Sequence, residues 1–262
     1  MYPSDMKAVI LAGGLGTRLR EETEYRPKPM VEIGGKPILW HIMKNLGHQD
    51  VSDFVIALGY KGDRIKDFFL NYQFKSSDFT VNLGNSDLKF HSTNVAENWN
   101  VTLADTGPLT MTGGRILMLE KFLKDEPFFL CTYGDGLANI NLNHLINFHK
   151  SHGKIATVSA SVPGSRFGKL GIEENGKVSS FKEKPAEQNY VNAGFFIFSP
   201  KIFRYLTPDS VLEREPLETL AREGELFAYK HDGFWQPMDT IREVESLNEI
   251  WSHGNAPWKN WD

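Results

Sequence analysis

Cysteine is almost absent from this chain of 262 residues. Cys131 stands alone, so no internal disulfide can form, and a reducing compartment suits it. No apolar run approaches the ~20 residues that a bilayer-spanning helix needs. Ala193 to Phe198 is among the longest. The 29 Lys and Arg are scattered and outnumbered by 33 Asp and Glu. With a formal charge of −4 and no basic cluster, no nucleic-acid polymer is expected as a partner. The N-terminus shows no basic-then-apolar signal pattern, and Met1 to Asp5 read as a loose leader before Met6 and Lys7. Internal repeats, low-complexity tracts and polar linkers are missing too. These absences point to a cytosolic protein, with no membrane partner, built on one sizeable core.

What is present is an alternation. Met6 to Ala12, Asp53 to Leu58 and Phe128 to Thr132 read as buried strands, and helical spacing follows each. It runs through Ile38, Leu39, Ile42, Met43 and Leu46 after Pro37, through Ile65, Phe68 and Phe69, and through Leu142, Leu145, Ile146 and Phe148. Such alternation predicts a parallel sheet covered on both faces. Phe79 to Asp105 reads as irregular β structure with polar turns. Further strands are expected at Ile155–Ala160, Gly168–Ile172, Lys177–Phe181 and Ala193–Phe198, and helices at Pro216–Arg222 and Asp239–Trp251. The expected fold is α/β: a Rossmann-like, mixed, mostly parallel sheet flanked by helices, one domain over 1–262. A first half, about 6–150, and a β-rich second half, about 151–262, would shape the two sides of one cleft.

Leu11-Ala12-Gly13-Gly14-Leu15-Gly16-Thr17-Arg18 falls directly after the first strand. Bare glycine backbone lets amide hydrogens cradle phosphate oxygens. By itself the glycine cluster reads first as a tight turn. The dinucleotide fingerprint fails at Leu19, and the Gly-Lys-Ser/Thr of a P-loop is absent. Arg18 and Lys28 change the reading. A turn needs no cation, and Pro27-Lys28-Pro29 holds a lysine on stiff, extended backbone. Nucleoside triphosphate binding is then the better reading.

Asp135, in Tyr-Gly-Asp-Gly, and Asp239, in Gln-Pro-Met-Asp, suit a hard Mg²⁺ ion, which takes one or two carboxylates and completes its shell with phosphate and water. From their own surroundings they read equally as a turn aspartate and as a helix N-cap four residues before Glu243. His149 and His152 share a helix face without zinc-like partners and are expected in solvent. Cys131, beside Phe128, Phe129 and Leu130, is expected as a small buried apolar residue and not as a nucleophile. Trp251, Trp258 and Trp261 are expected in core and tail packing; Trp235, four positions before Asp239, is the exception worth testing.

LAGGLGTRL with RPKPM, followed by WNVTLADTG, MTGGR, YGDG, SRFGKLGI, SFKEKP, NAGFFIF, GFWQPMDTIRE and APWKNW, resembles the sugar-phosphate nucleotidyltransferases over nearly the whole chain. GFWQPMDT and WNVTLADTG are similar to the glucose-1-phosphate cytidylyltransferase branch. The resemblance implies transfer of a cytidylyl group from CTP to α-D-glucose 1-phosphate, giving pyrophosphate and CDP-glucose for the dideoxysugars of bacterial O-antigens. A uridylyl- or thymidylyltransferase acting on a related hexose 1-phosphate is the alternative. A regulatory relative without activity could dispense with Lys28, Asp135 or Lys184, and all three are present.

The resemblance also assigns residues. It implies Arg18, Lys28, Asp135 and Lys184 as catalytic, and Mg²⁺ held by Asp135 and Asp239. Along the nucleotide it implies Leu11, Ala12, Gly13, Gly14, Leu15, Gly16, Thr17, Arg18, Lys28, Thr110, Gly113, Tyr133 and Gly134. Around the sugar phosphate it implies Gly168, Glu183, Lys184 and Asn192, so the second half becomes the sugar-binding half. Glu183-Lys184-Pro185 taken alone reads as an exposed charged loop. Arg26 stands where several relatives carry lysine, and Ala193 where they more often carry glycine. Homo-oligomers are usual among such proteins, and Phe79 to Glu97 is the expected assembly surface.

No nucleophilic residue is required by such a reaction. A phosphate monoester has a second pKa near ~6, so it is largely a dianion at neutral pH and can attack unaided. The obstacle is the approach of one anion to another. Charge neutralisation and in-line positioning must therefore carry the catalysis.

Overall fold

Alternate side chains of the apolar runs point to opposite faces of a strand, and both faces of the central runs are buried here. The computed structural model describes residue 3 and residues 6–91, 97–163, 169–173, 177–182 and 189–261. Gly168, Glu183 and Lys184 lie outside the described residues, as do Met1, Tyr2, Ser4 and Asp5 of the expected leader and 92–96 of the expected assembly segment.

Seven strands form the main sheet: β1 Lys7–Ala12, β2 Asp53–Leu58, β3 Asn100–Asp105, β4 Phe129–Tyr133, β5 Ala156–Ser161, β6 Val191–Phe198 and β7 Leu226–Lys230. Their order is β7-β5-β6-β4-β1-β2-β3. β1 runs parallel to β2 and β4, β2 to β3, and β5 to β7. Only β6 is antiparallel to its neighbours, β4 and β5. The mixed, mostly parallel sheet expected from the alternation is thus the one observed. Strands from both halves of the chain join in it.

Helices cover the two faces: α1 Ile38–Gly47, α2 Gly62–Leu70, α3 Thr112–Met118, α4 Leu142–His152, α5 Glu215–Arg222 and α6 Ile241–Ser252. Ala8, Ile10, Phe54, Ile56 and Leu130 face one core, with Ile38 and Ile42 of α1, Leu142 and Leu145 of α4 and Leu247 of α6. Val9, Leu11, Val55, Ala57, Phe129 and Cys131 face the other, with Ile116 of α3 and Leu217 and Leu220 of α5. Each fully buried Leu, Ile or Phe contributes roughly 1.5–3 kcal/mol. Cys131 is wholly buried, and burial pushes its thiol pKa up, so it is the inert apolar residue expected. Among the described residues no helix is long and apolar enough to cross a membrane.

Three elements differ from expectation. β3 lay inside the stretch read as irregular, because an edge strand with Asn100 and Thr102 lacks a continuous apolar run. β7, largely exposed, was not anticipated for the same reason. α3 opens with Gly113 and Gly114, which argue against a helix from propensity alone. A Cβ at Gly114 would stand 2.1 Å from the Pro208 carbonyl oxygen, so tertiary packing selects the small residue.

His149 is a correction. It is not solvated but buried, since α4 lays that face on β5. Its Nδ1 pairs with Thr157 Oγ1 at 2.9 Å, and His152 Nε2 pairs with the same hydroxyl at 2.7 Å. The tail behaves as expected: Trp251, Trp258 and Trp261 surround His41, whose Nε2 pairs with the Ile33 carbonyl oxygen at 2.7 Å. Asn45 Nδ2 donates to the Trp258 carbonyl at 2.6 Å and ties the tail to α1.

Candidate active site

The carboxyl ends of β1 and β4 open onto a cleft of about 330 Å³. This is where an open α/β sheet presents ligand-binding loops. Its floor is the segment after β1, and the fold explains two of the three glycines there. Gly16 has φ +64°, a left-handed corner that suits glycine. Thr23 Oγ1 closes the turn by donating to the Gly16 carbonyl at 3.1 Å and to that of Leu19 at 3.0 Å. A Cβ on Gly13 would fall 2.2 Å from the Arg115 guanidinium carbon. Gly14 is different: a Cβ there would meet no atom within 4 Å, so packing does not demand glycine and the space is left open.

The charged groups converge at one end. Lys28 sits on a single helical turn, Lys28–Met30, after the extended Pro27. It is 8% exposed, and its Nζ donates to Asp135 Oδ2 at 2.5 Å and to Asp239 Oδ1 at 2.6 Å. Burial acts to lower the Lys28 pKa, but the carboxylates of Asp135 and Asp239 outweigh it, and the pKa is raised. Arg18 Nη1 donates to the other oxygen of Asp239 at 2.7 Å, while most of its side chain faces water. The two aspartates meet although far apart in sequence because Gly136–Ala138 and Trp235–Pro237 form an antiparallel ladder. Asp135 and Asp239 stand at the same end of it, and Met238 N–H donates to the Asp135 carbonyl at 2.8 Å. Asp239 is not the helix cap: Thr240 caps α6 in a capping box with Glu243, whose Oε2 also accepts from the Asp239 N–H at 2.7 Å.

Of the residues expected along a nucleotide, Leu11, Ala12, Gly13, Gly14, Gly16, Thr17, Arg18, Lys28, Thr110, Tyr133 and Gly134 line this cleft, and so does Asp135, expected as a catalytic and metal-holding residue. Leu15 is 45% exposed and does not line it, and Gly113 instead packs on Ser210. Asn192, at the start of β6, is exposed and its Oδ1 accepts from the Gly194 N–H at 2.8 Å. Trp235 packs partly against the core. Arg26 is engaged with Glu22 and Glu32 and not with the cleft.

Arg115 of the cleft wall, and Glu213 behind the lining residues Thr112 and Tyr133, went unnoticed in the sequence. Arg115 is buried and forms no ion pair among the described residues. Its guanidinium donates to the carbonyls of Leu58, Gly107 and Gly13 at 3.0, 2.7 and 2.9 Å and to Thr106 Oγ1 at 2.7 Å. It thus joins the loops after β1, β2 and β3. The planar fork of arginine suits this task. Glu213 accepts from Thr112 Oγ1 at 2.7 Å and, in a short bond, from the Tyr133 hydroxyl. Burial first and then Glu213 push the Tyr133 pKa up, so the phenol stays neutral. Nothing in MTGGR or LEREP by itself marks either residue as part of a site, because their links to the cleft run to Gly13 and Tyr133, 102 and 80 positions away.

A family profile described as Nucleotidyl transferase matches residues 7–236. The glucose-1-phosphate cytidylyltransferase of Salmonella typhi is 52% identical over 259 residues, covering 98% of this chain and all of that protein. A probable glucose-1-phosphate cytidylyltransferase of Bacillus subtilis is 46% identical over 258 residues, with 98% of this chain and all of that protein covered. Among solved structures, HddC from Yersinia pseudotuberculosis superposes with a TM-score of 0.68 at 26% identity, over 96% of this chain and the whole of that one.

Proposed function

The chain belongs to the nucleotidyl transferase family, and from that premise we propose that it transfers a cytidylyl group from CTP to α-D-glucose 1-phosphate, giving CDP-glucose and pyrophosphate. The observation that carries the reading is the cleft in which Gly14, Arg18 and Lys28 meet Asp135 and Asp239. The choice of cytidine and glucose is supported by the full-length likeness to the Salmonella typhi and Bacillus subtilis proteins.

In this reading the amides of Gly13 to Thr17 receive phosphate oxygens, and Arg18 forks across them. Lys28, already protonated between two carboxylates, is aimed at the oxygen on which charge grows at the α-phosphorus. The sugar phosphate attacks in line as a dianion, and pyrophosphate leaves. The donor set fits a hard divalent cation: two carboxylates converge on one point, with no thiol or imidazole beside them among the described residues. No group of three or more acidic, His or Cys side chains placed to hold a metal ion occurs among the described residues, so phosphate oxygens and water would complete the shell. Bound by Asp135 and Asp239, Mg²⁺ would neutralise the triphosphate. Glu183, Lys184, Gly168 and Asn192 form the sugar-phosphate side in this reading, with about 6–150 and about 151–262 as the nucleotide and sugar halves of a single cytoplasmic domain.

We read the protein as a homo-oligomer. The hairpin Phe79–Val81 with Leu88–Phe90 supports this, since Val81, Leu83 and Leu88 are exposed and Leu83 is 90% so. A light-scattering mass equal to one chain, unchanged in Leu83→Asp, contradicts it. The catalytic reading is tested by pyrophosphate release over a grid of CTP, UTP, dTTP and GTP with several hexose 1-phosphates. The expected result is turnover concentrated at CTP with glucose 1-phosphate. Equal rates with CTP, UTP and dTTP defeat the cytidylyl assignment.

A further inference from the structure

The segment from Gly13 to Glu24 carries the open glycine and Arg18, and a single turn behind it gathers its carbonyls. That turn, Gly59-Tyr60-Lys61, follows β2 at the carboxyl edge of the sheet. Tyr60 N–H donates to the Gly13 carbonyl at 3.2 Å, and the Tyr60 hydroxyl donates to the Thr23 carbonyl at 3.3 Å. Lys61 Nζ donates to the same Thr23 carbonyl at 3.3 Å and, in a short bond, to that of Glu24. The ammonium also lies 5.1 Å from the Tyr60 ring centroid, within cation–π range.

The backbone is bent to deliver it. Lys61 has φ +50°, a left-handed conformation that residues with a Cβ seldom adopt. Such a position usually favours glycine or asparagine. Here a lysine occupies it, and among the described residues its ammonium makes no ion pair. Thr23 passes the restraint forward, because its hydroxyl donates to the Gly16 and Leu19 carbonyls on either side of Arg18. Lys61 therefore reaches the left-handed corner and the exposed arginine through one residue.

We infer that Lys61, with Tyr60, is a positioning residue that holds the Gly13–Glu24 segment in the shape that receives a triphosphate; this rests on the nucleotidyl transfer proposed above. Without the ammonium, the Thr23 and Glu24 carbonyls turn to water and the segment samples other shapes. The nucleotide must then order it on binding, and that cost is subtracted from affinity. Once the nucleotide is bound, the arrangement at Lys28, Asp135 and Asp239 is untouched.

The test joins kinetics to limited trypsin cleavage after Arg18 and Arg20, both exposed on this segment. In Lys61→Met the KM for CTP rises about tenfold while kcat stays within about threefold, since a term common to ground and transition states is lost. Cleavage after Arg18 and Arg20 speeds up, CTP suppresses the increase, and cleavage elsewhere is unchanged. Lys61→Arg, which keeps a cation within reach of the carbonyls, restores most of both effects. Unchanged KM with unchanged cleavage overturns the inference, as does a fall in kcat at constant KM. Faster cleavage at all sites alike also overturns it, because that reports general destabilisation. Should Lys61→Met fail to fold, Tyr60→Phe removes the hydroxyl bond to Thr23 and must move KM and cleavage in the same directions by a smaller amount; no change overturns the inference. Absence of wild-type turnover with CTP would sink the cytidylyl reading while leaving the local cleavage comparison to decide the role of Lys61.

Discussion

Replacing Lys28 by methionine removes one nitrogen from between two carboxylates. The structure allows the consequence to be sized. Two charge-assisted hydrogen bonds, at 2.5 and 2.6 Å, are lost, each worth roughly 1.5–3 kcal/mol. The aspartate oxygens they held are no more than about 5 Å apart, and at an effective dielectric of ~20 two such charges repel by about 3 kcal/mol. Asp135 is 32% exposed at its side chain and water screens it, so about half of that repulsion survives. Relaxation of Asp135 and the remaining bond from Arg18 to Asp239 offset part of the loss. Destabilisation of about 3 kcal/mol is expected in EDTA, a drop in Tm of roughly 6–12 °C for a chain of this size. Mg²⁺ should recover more of that loss in Lys28→Met than it adds to the wild type, since the carboxylate pair then has no internal cation. Pyrophosphate release should fall roughly 10²–10³-fold with Mg²⁺ present. Differential scanning fluorimetry in EDTA and in Mg²⁺, beside a coupled pyrophosphate assay, measures both. A variant that melts with the wild type in EDTA and turns over at a comparable rate refutes the electrostatic account of this site.

Asp135→Asn should fold normally yet show no turnover at any practical Mg²⁺ concentration; near-normal rates would show that the metal is held elsewhere. Gly14→Ala should leave stability unchanged or slightly raised, by up to about 1 kcal/mol, because the position is open and its φ is not left-handed. Its kcat/KM for CTP should fall at least tenfold if that space receives phosphate, by order-of-magnitude analogy with a contact misplaced by ~1 Å; unaltered kinetics would remove Gly14 from the cleft's chemistry. Acid should destabilise the protein through His41 and His149, which burial pushes down to about 4 from 6.5. Their folded pKa lies below the unfolded one, so the unfolded chain binds more protons as pH drops. Stability is complete above about pH 6.5 and is lost toward pH 4, by up to about 3 kcal/mol for each histidine. Urea midpoints at pH 7, 5.5 and 4.5 measure this, and His149→Gln should flatten part of the slope. A midpoint constant across that range contradicts it.

Several features were legible from local chemistry. Ala8 to Ala12 and Phe54 to Leu58 are continuous apolar runs, and the strands expected at Met6–Ala12 and Asp53–Leu58 formed within one residue of those bounds. The strand-then-glycine order located the cleft, because an open parallel sheet has one edge where loops can receive a ligand. Lys28 stood out because two prolines leave a lysine little freedom. Elements whose stability comes from elsewhere were not legible. β7 is largely exposed and, among the described residues, pairs only with β5, and α3 needs Gly114 because Pro208 presses on it. His149 looked solvated because Thr157, its partner, lies on a strand that periodicity alone does not place against α4.

The sequence by itself determined the fold class, the position of the glycine segment and the residue types that could meet phosphate, since these follow from apolar periodicity and backbone freedom over a few residues. The tertiary structure alone decided that Asp135 and Asp239 share one lysine, that Arg115 joins three loops, and that Lys61 reaches behind the glycine segment. Each of those pairings spans tens to hundreds of residues. Coulomb attraction and hydrogen bonding act over a few ångströms of space, and only the packed sheet, with its ladder at Gly136–Ala138 and Trp235–Pro237, turns sequence distance into contact.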